Sequence, residues 1–159
     1  VISLYWTRPV GGPWVPSSMQ MVRRMLEMAE VCPEDVVYDL GCGDGRMVLT
    51  AAMRYHARAV GIEIDPLRYL WCQFLITILF QRKRIRIVFG NLFTKDLSEA
   101  DVVICYLMPD ALVKLEKKLK KELQPGTRVV SNRFPFPTLD KVQEDGDALL
   151  YAINPDRVQ

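Results

Sequence analysis

The run Val36–Arg46, VVYDLGCGDGR, constrains this chain more than any other stretch. A β-type run ends in glycines at three alternate positions, Gly41, Gly43 and Gly45. Glycines in that pattern let a backbone turn sharply and approach something closely, because without a Cβ positive φ is allowed. A strand that turns directly into a helix aims backbone N–H groups and the positive helix end at a ligand. The segment therefore predicts a strand–loop–helix unit with a binding function.

The rest of the chain repeats that unit. β-like runs at 36–41, 58–64, 84–90, 101–107 and 127–133 alternate with helical patterns near 45–55, 66–81 and 110–123. Strand–helix repetition of this kind predicts a parallel sheet with helices on both faces. An earlier helix is expected from a capping box of Ser17 with Gln20, after which Val22, Met25, Leu26 and Ala29 recur at helical spacing up to Pro33. Lys141–Glu144 and Ala148–Asn154, joined by Asp145-Gly146-Asp147, read as a closing hairpin with one strand antiparallel to the others. The expected fold is thus α/β: a Rossmann-like, doubly wound, mostly parallel seven-stranded sheet with a C-terminal antiparallel hairpin. With 159 residues, half of them apolar, the chain has the size of one domain, taken as 17–159 behind an irregular arm over 1–16 that holds Pro9, Gly11, Gly12, Pro13 and Pro16.

Composition removes several classes of function. A net charge of +2 gives no strong nucleic-acid signal. His56 is the single histidine, which excludes a multi-histidine zinc centre or a pair of catalytic imidazoles, and no metal site is expected. Cys32, Cys42, Cys72 and Cys105 lie 10, 30 and 33 residues apart, matching neither a paired zinc motif nor a dense disulfide framework, so reduced thiols on the cytoplasmic side are expected. Val1 in place of an initiator methionine leads us to expect a processed or partial chain with any targeting segment upstream.

Three polar residues close three successive strands. Asp39 stands just before the glycine turn, where a carboxylate would repel a pyrophosphate and suit a ligand carrying positive charge. Glu63, in GIEID, ends the second strand about 20 residues further on, the place from which an acidic side chain accepts bonds from ribose hydroxyls. Asn91, in GNLF, ends the third strand and offers an amide to an adenine edge, with Ile64 and Leu92 on either side of the ring. A ligand with adenosine and a cation but no phosphates is S-adenosyl-L-methionine. Its expected contacts are Asp39, Gly41, Cys42, Gly43, Glu63, Ile64, Asn91 and Leu92. Taken singly, Asp39 could equally be a cap, Glu63 a solvated strand end and Asn91 a turn residue; their convergence on one sheet edge carries the reading. Asp44 and Asp65 are read as carboxylates at helix N-termini, Asp65 as the N-cap before Pro66.

DLGCGDGR, GIEID, GNLF and DVVICYLMP, in this order, resemble the motifs of class I, seven-β-strand methyltransferases along nearly the whole chain. The Pro-Trp-Val-Pro-Ser arm before MVRRML, with LQPGTRVVS ending at Ser131, is similar to a small family of protein-lysine methyltransferases that includes a broad-specificity archaeal enzyme and membrane-anchored mitochondrial relatives. The resemblance implies methyl transfer to protein lysine side chains and an arm, Val15 to Ser17, folded over the methionine end of the cofactor. It also implies a histidine and an acidic residue after Val130-Ser131, where this chain has Asn132-Arg133. A small-molecule or RNA acceptor would use the same cofactor site, and a non-catalytic S-adenosylmethionine-binding scaffold would keep that site without turnover.

The loop Tyr106-Leu-Met-Pro109 follows the fourth strand and is apolar, as a mouth that must accept a neutral amine should be. Tyr106 either lines the methyl-transfer channel or packs against the cofactor. The loop lacks the Asn/Asp-Pro-Pro-aromatic sequence expected for adenine-N6 or glutamine acceptors. Lys114, Lys117, Lys118, Lys120 and Lys121 read as the solvated face of a helix whose other face holds Leu112, Leu115, Leu119 and Leu123. Pro66–Gln81 is apolar on almost every side and too short to cross a bilayer. It is either a core helix or a surface contact, through 66–86, to a membrane or a second copy. In the contact reading the outward residues come from Tyr69, Trp71, Leu75, Ile78 and Leu79, Arg82, Lys83, Arg84 and Arg86 add attraction to anionic lipid, and Val1–Trp6 is the end of a removed membrane segment.

Overall fold

The computed structural model describes residues 15–154. Its alternation of strands and helices is close to the expected one. In chain order come α1 (Met19–Met28), β1 (Val36–Leu40), α2 (Arg46–Arg54), β2 (Arg58–Glu63), α3 (Pro66–Ile78), β3 (Ile85–Phe89), a 3-10 turn (Leu92–Thr94), β4 (Val102–Cys105), α4 (Pro109–Glu122), β5 (Arg128–Asn132), β6 (Lys141–Asp145) and β7 (Ala148–Ala152). Residues 1–14 of the expected 1–16 arm, the Val1–Trp6 segment among them, lie outside the described residues.

Seven strands form one sheet in the order β3-β2-β1-β4-β5-β7-β6. The first five are mutually parallel; β7 runs antiparallel to both β5 and β6, closing the sheet as the hairpin reading expects. Sequence pattern follows position. β1 (VVYDL) and β4 (VVIC) are buried at every residue, as central parallel strands covered on both faces must be. The edge strand β6 (KVQED) is exposed throughout, and its charges blunt a free edge.

The two faces are covered unequally. One core packs Val22, Met25 and Leu26 of α1, Met47, Val48 and Ala51 of α2, and Cys72 and Ile76 of α3 against Val37, Ala59, Ile85, Ile87 and Ile104. The other packs Leu112, Leu115 and Leu119 of α4, with Leu97 and Phe136 from loops, against Tyr38, Leu40, Ile62, Val103, Val129 and Tyr151. Lys114, Lys117 and Lys121 are exposed as expected, but Lys118 and Lys120 are half-buried and pair along the helix, Lys118 with Glu122 and Lys120 with Glu116.

Two helix starts show how local chemistry and tertiary contacts divide the work. Asp65 caps α3 as expected: its Oδ1 accepts from the N–H groups of Leu67 and Arg68, and Pro66 occupies the first turn. The cap of α1 is Ser18, whose hydroxyl accepts from the Met21 N–H at 3.1 Å, rather than Ser17. Ser17 is held instead by groups far along the chain: its carbonyl accepts from Arg46 and its hydroxyl from Asn132.

Candidate cofactor site

Strand order reverses between β1 and β4: the chain winds outward from β1 to β3, then returns to lay β4 on the other flank of β1. At such a switch point the loops leaving two neighbouring strands diverge and open a crevice beyond their carboxyl ends. A cleft of about 520 Å³, its open mouth included, lies there, lined by the loop Gly41–Asp44, Asp39, Arg46, Met47, Ile104, Cys105 and Tyr106, and closed on one side by Val15, Pro16 and Ser17.

The glycine loop is pinned to β2. Gly41 and Cys42 both donate to the Ile62 carbonyl, at 2.9 and 3.0 Å. Close approach of the two segments requires Gly61, where a Cβ would stand 2.7 Å from Cys42 Sγ. Gly45, at φ 84, starts α2 in the left-handed region, and a Cβ there would press on Cys72 Sγ at 3.1 Å. The thiols of Cys42 and Cys72 thus wedge the loop from behind. Cys72 Sγ donates to the Gly43 carbonyl at 3.3 Å, and the neighbouring Cys72 thiol, reinforced by burial, pushes the Cys42 thiol well above its ordinary pKa, so it stays neutral. No disulfide links the four cysteines.

Two buried carboxylates dominate the electrostatics. Glu63 accepts from the Gly43 N–H through Oε2 and from the Asp65 N–H through Oε1, both at 2.8 Å, with Arg68 Nη1 3.8 Å from Oε1. Burial raises its pKa, and those N–H groups and Arg68 oppose the rise. A carboxylate has about four acceptor positions, so two bonds to the backbone leave capacity for ligand hydroxyls. Asp39 faces the cleft with less support: burial first, then Glu63 and Asp44, push its carboxyl up to about 7. A cation entering the cleft would relieve that cost, which is the chemistry expected of a sulfonium ligand. The donor and acceptor set therefore fits S-adenosylmethionine.

The structure gathers Ser17, Asp39, Gly41, Cys42, Gly43 and Tyr106 around the cleft. Glu63 reaches it through Gly43. Ile64, Asn91 and Leu92 stand on the same sheet edge but further out, at the ends of β2 and β3. Asn91 uses its amide oxygen to cap the 3-10 turn, accepting from the Phe93 N–H at 2.9 Å. Leu92 is buried in the α4-side core with Leu40, Ile62 and Leu97.

Sequence reasoning missed the clasp on the arm. Arg46 grips Asp44 with two guanidinium nitrogens, donating from Nε to Oδ1 at 2.9 Å, and turns Nη1 to the Ser17 carbonyl at 2.6 Å. Asn132 Nδ2 donates to Ser17 Oγ at 2.9 Å from the end of β5. The Asn132-Arg133 departure from the family pattern was its only signal. Beyond it, Tyr106 stacks on Phe134 with ring centroids 6.4 Å apart, and the Arg133 guanidinium lies 5.6 Å from the Phe134 ring.

The chain is similar to known proteins in sequence and in fold. The profile of the ANTKMT methyltransferase domain matches residues 39–143. A protein-lysine N-methyltransferase of Saccharolobus islandicus is 48% identical over 123 residues, which are 77% of this chain and 76% of that one. The adenine nucleotide translocase lysine N-methyltransferase of Mus musculus is 34% identical over 85% of this chain, which spans 58% of that relative. Among solved structures, an RNA methyltransferase from Salinibacter ruber in complex with S-adenosyl-L-homocysteine superposes with a TM-score of 0.83 at 40% identity, covering 89% of this chain and 95% of that one. With a matching profile over most of its length and a 48% identical relative, this chain belongs to the ANTKMT methyltransferase domain family.

Proposed function

We propose that the protein transfers a methyl group from S-adenosyl-L-methionine to the side-chain amine of protein lysines. The observation that carries the reaction class is the cleft at the β1/β4 switch point, where buried Asp39 meets other carboxylates instead of a counter-cation and Ile104 and Tyr106 also line the cleft. The lysine acceptor follows from the relatives named as lysine methyltransferases, the most identical of the three described above among them. Asp39, the Gly41–Gly43 backbone and Ser17 would hold the methionine end, Glu63 the ribose, and Ile64, Asn91 and Leu92 the adenine. When bound, this cofactor supplies an already activated methyl on a sulfonium.

What the chain must add is position and a dry approach. Orientation of two reactants supplies roughly 7–11 kcal/mol of barrier reduction, and the clasped arm and the pinned glycine loop fix the cleft walls that set it. Tyr106, stacked on Phe134, gives the mouth an apolar aromatic lining. Such a lining penalises a charged ammonium and so favours the neutral amine that can attack. Tyr106 acts here as a channel wall, and its proton is not needed.

An RNA acceptor is the second reading, favoured by the Salinibacter ruber relative. Incubation with labelled S-adenosylmethionine and host lysate, followed by separate protease and ribonuclease digestion, tests both. Label released by protease and mapped to methyl-lysine is expected. Label resistant to protease and released by ribonuclease overturns the lysine reading; no turnover beside tight cofactor binding means a scaffold.

A further inference from the structure

We propose that the outward face of α3 and the turn behind it dock on a membrane surface rich in anionic lipid. α3 is apolar on two sides. Cys72 and Ile76 enter the core, and Tyr69 packs at its border with its ring 5.4 Å from Phe89. On the opposite side Leu67, at 75% exposure, leads a stripe of half-exposed Leu70, Trp71, Phe74 and Ile78. Those positions follow the three- and four-residue spacing of a single helix face, so they form one continuous surface rather than scattered residues. Leu79 extends it at the helix end, and Trp71 and Phe74 lie ring to ring at 5.9 Å. Trp71, Ile78 and Leu79 are outward as the sequence suggests; Tyr69 and Leu75 are not, and Leu67, Leu70 and Phe74 take their place.

The helix end sharpens the case. Phe80 donates its N–H to Thr77 and Gln81 donates to Ile76, a helix-terminating motif whose left-handed position normally holds glycine. Here that position is Phe80, at φ 54, with its ring 90% exposed. A bulky side chain in that conformation is disfavoured in the folded monomer. Its placement is accounted for when the ring finds an apolar phase outside the protein.

Charge selects the occupant. Between Pro66 and Lys95 there are six cations, Arg68, Arg82, Lys83, Arg84, Arg86 and Lys95, and no Asp or Glu, although the whole chain carries a net charge of only +2. Arg82, Lys83 and Arg84 are exposed and follow Phe80 after Gln81. Arg82 is drawn back to the helix by its Nε–Thr77 Oγ1 bond of 2.9 Å. Arg86 does not join them: Ile85 and Ile87 face α3, so Arg86 faces the other side of the sheet, beside Tyr38. A two-fold copy seated on this stripe would bring both Arg82–Arg84 turns together with no carboxylate in the segment to receive them. RNA would use the cations but not Leu67, Leu70, Phe74 and Ile78. An anionic bilayer surface matches both halves. No helix among the described residues is long and apolar enough to cross a membrane, so α3 would lie in the interface.

The test is co-sedimentation of the purified protein with phosphatidylglycerol–phosphatidylcholine vesicles and with pure phosphatidylcholine vesicles, at low and high salt. Strong binding to the former that salt weakens is expected. Arg82→Gln with Lys83→Gln should lower partitioning about twenty-five-fold, each cation contributing about fivefold, and Phe74→Ser more than tenfold. Phe80→Gly should weaken vesicle binding while raising the melting temperature, an opposite pair of effects that a purely structural role for the ring would not give. The proposal is overturned by a wild type that ignores anionic vesicles at low salt. A vesicle-free dimer that Phe74→Ser converts to monomer would overturn it too, as would RNA binding that needs the cations and not Phe74.

Discussion

Asp35 stands just before β1 and Asp39 near its end, four residues apart, and both are buried, yet the protein treats them in opposite ways. At the N-terminal end of β1, Asp35 meets Arg128 Nη2 at 2.5 Å and accepts the Cys32 N–H at 2.9 Å, while Arg128 also donates to the Ala29 carbonyl at 2.7 Å. That carboxylate is answered within the fold and fastens α1 to β5. At the C-terminal end, Asp39 has two further carboxylates, Glu63 and Asp44, as electrostatic neighbours and its pKa rises to about 7. Burying a charge without a partner is costly, and proteins retain such groups where function uses them. The pair shows which edge of the sheet exists for stability and which for a ligand.

Breaking the contrast at its costly end should give the largest effect. Asp39 has a folded-state pKa above its unfolded value, so the folded state binds the extra proton and stability falls as pH rises from about 4 to about 7. Asp39→Asn removes that loss. It should stabilise the unliganded protein at pH 8 by up to about 4 kcal/mol and leave stability near pH 4 unchanged. Urea melts at the two pH values would show it. The same carboxylate must ionise to receive a cation, so calorimetry should find wild-type affinity for S-adenosylmethionine rising with pH to about 7, and a flat, weaker profile in Asp39→Asn.

Breaking the satisfied end should do the reverse. Arg128→Ala strands Asp35 and should cost about 3 kcal/mol of stability, the lower end of the range for broken buried pairs because Arg128 is partly exposed. Cofactor affinity should hardly change, and a drop of tenfold would show that the two ends are not independent. Glu63→Ala belongs to the ligand edge and should weaken cofactor binding by about 1.5–3 kcal/mol, or ten- to over a hundredfold. An NAD affinity above that for S-adenosylmethionine in the wild type would sink the assignment. The smallest effect is expected from Asn132→Ala, which removes one neutral bond to the arm. About 1 kcal/mol should appear as a roughly fivefold faster cofactor dissociation in stopped-flow measurements.

Much of this was legible beforehand because it rests on local rules. Asp65 before Pro66 marks a helix start whatever surrounds it, and uninterrupted runs such as VVYDL and VVIC mark strands covered on both faces. The parity of β3 was legible too: Ile85 and Ile87 facing α3 put Arg86 on the other side, a period-two argument that the grouping of Arg82 to Arg86 overlooked. The phase of α3 was not. With apolar residues on nearly every side, the narrow polar stripe of Arg68, Gln73, Thr77 and Gln81 does not tell which of Tyr69 or Leu70 points inward, and only docking of Cys72 and Ile76 against β3 and the glycine loop decides it.

By itself, then, the sequence determined the strand–helix alternation, the glycine turn and the carboxylates at the strand ends, since each follows from backbone sterics and periodicity over a few residues. Tertiary structure decided the rest. Ser17 lost the helix cap to Ser18 because Arg46, 29 residues away, and Asn132, 115 residues away, claim its carbonyl and hydroxyl. Asp35 and Asp39 look alike in the chain. One became a structural tie and the other a ligand-facing charge because the fold brings Arg128 of β5 to one end of β1 and Glu63 of β2, with Asp44 of the glycine loop, to the other, and a charge takes its energy from what the fold places beside it.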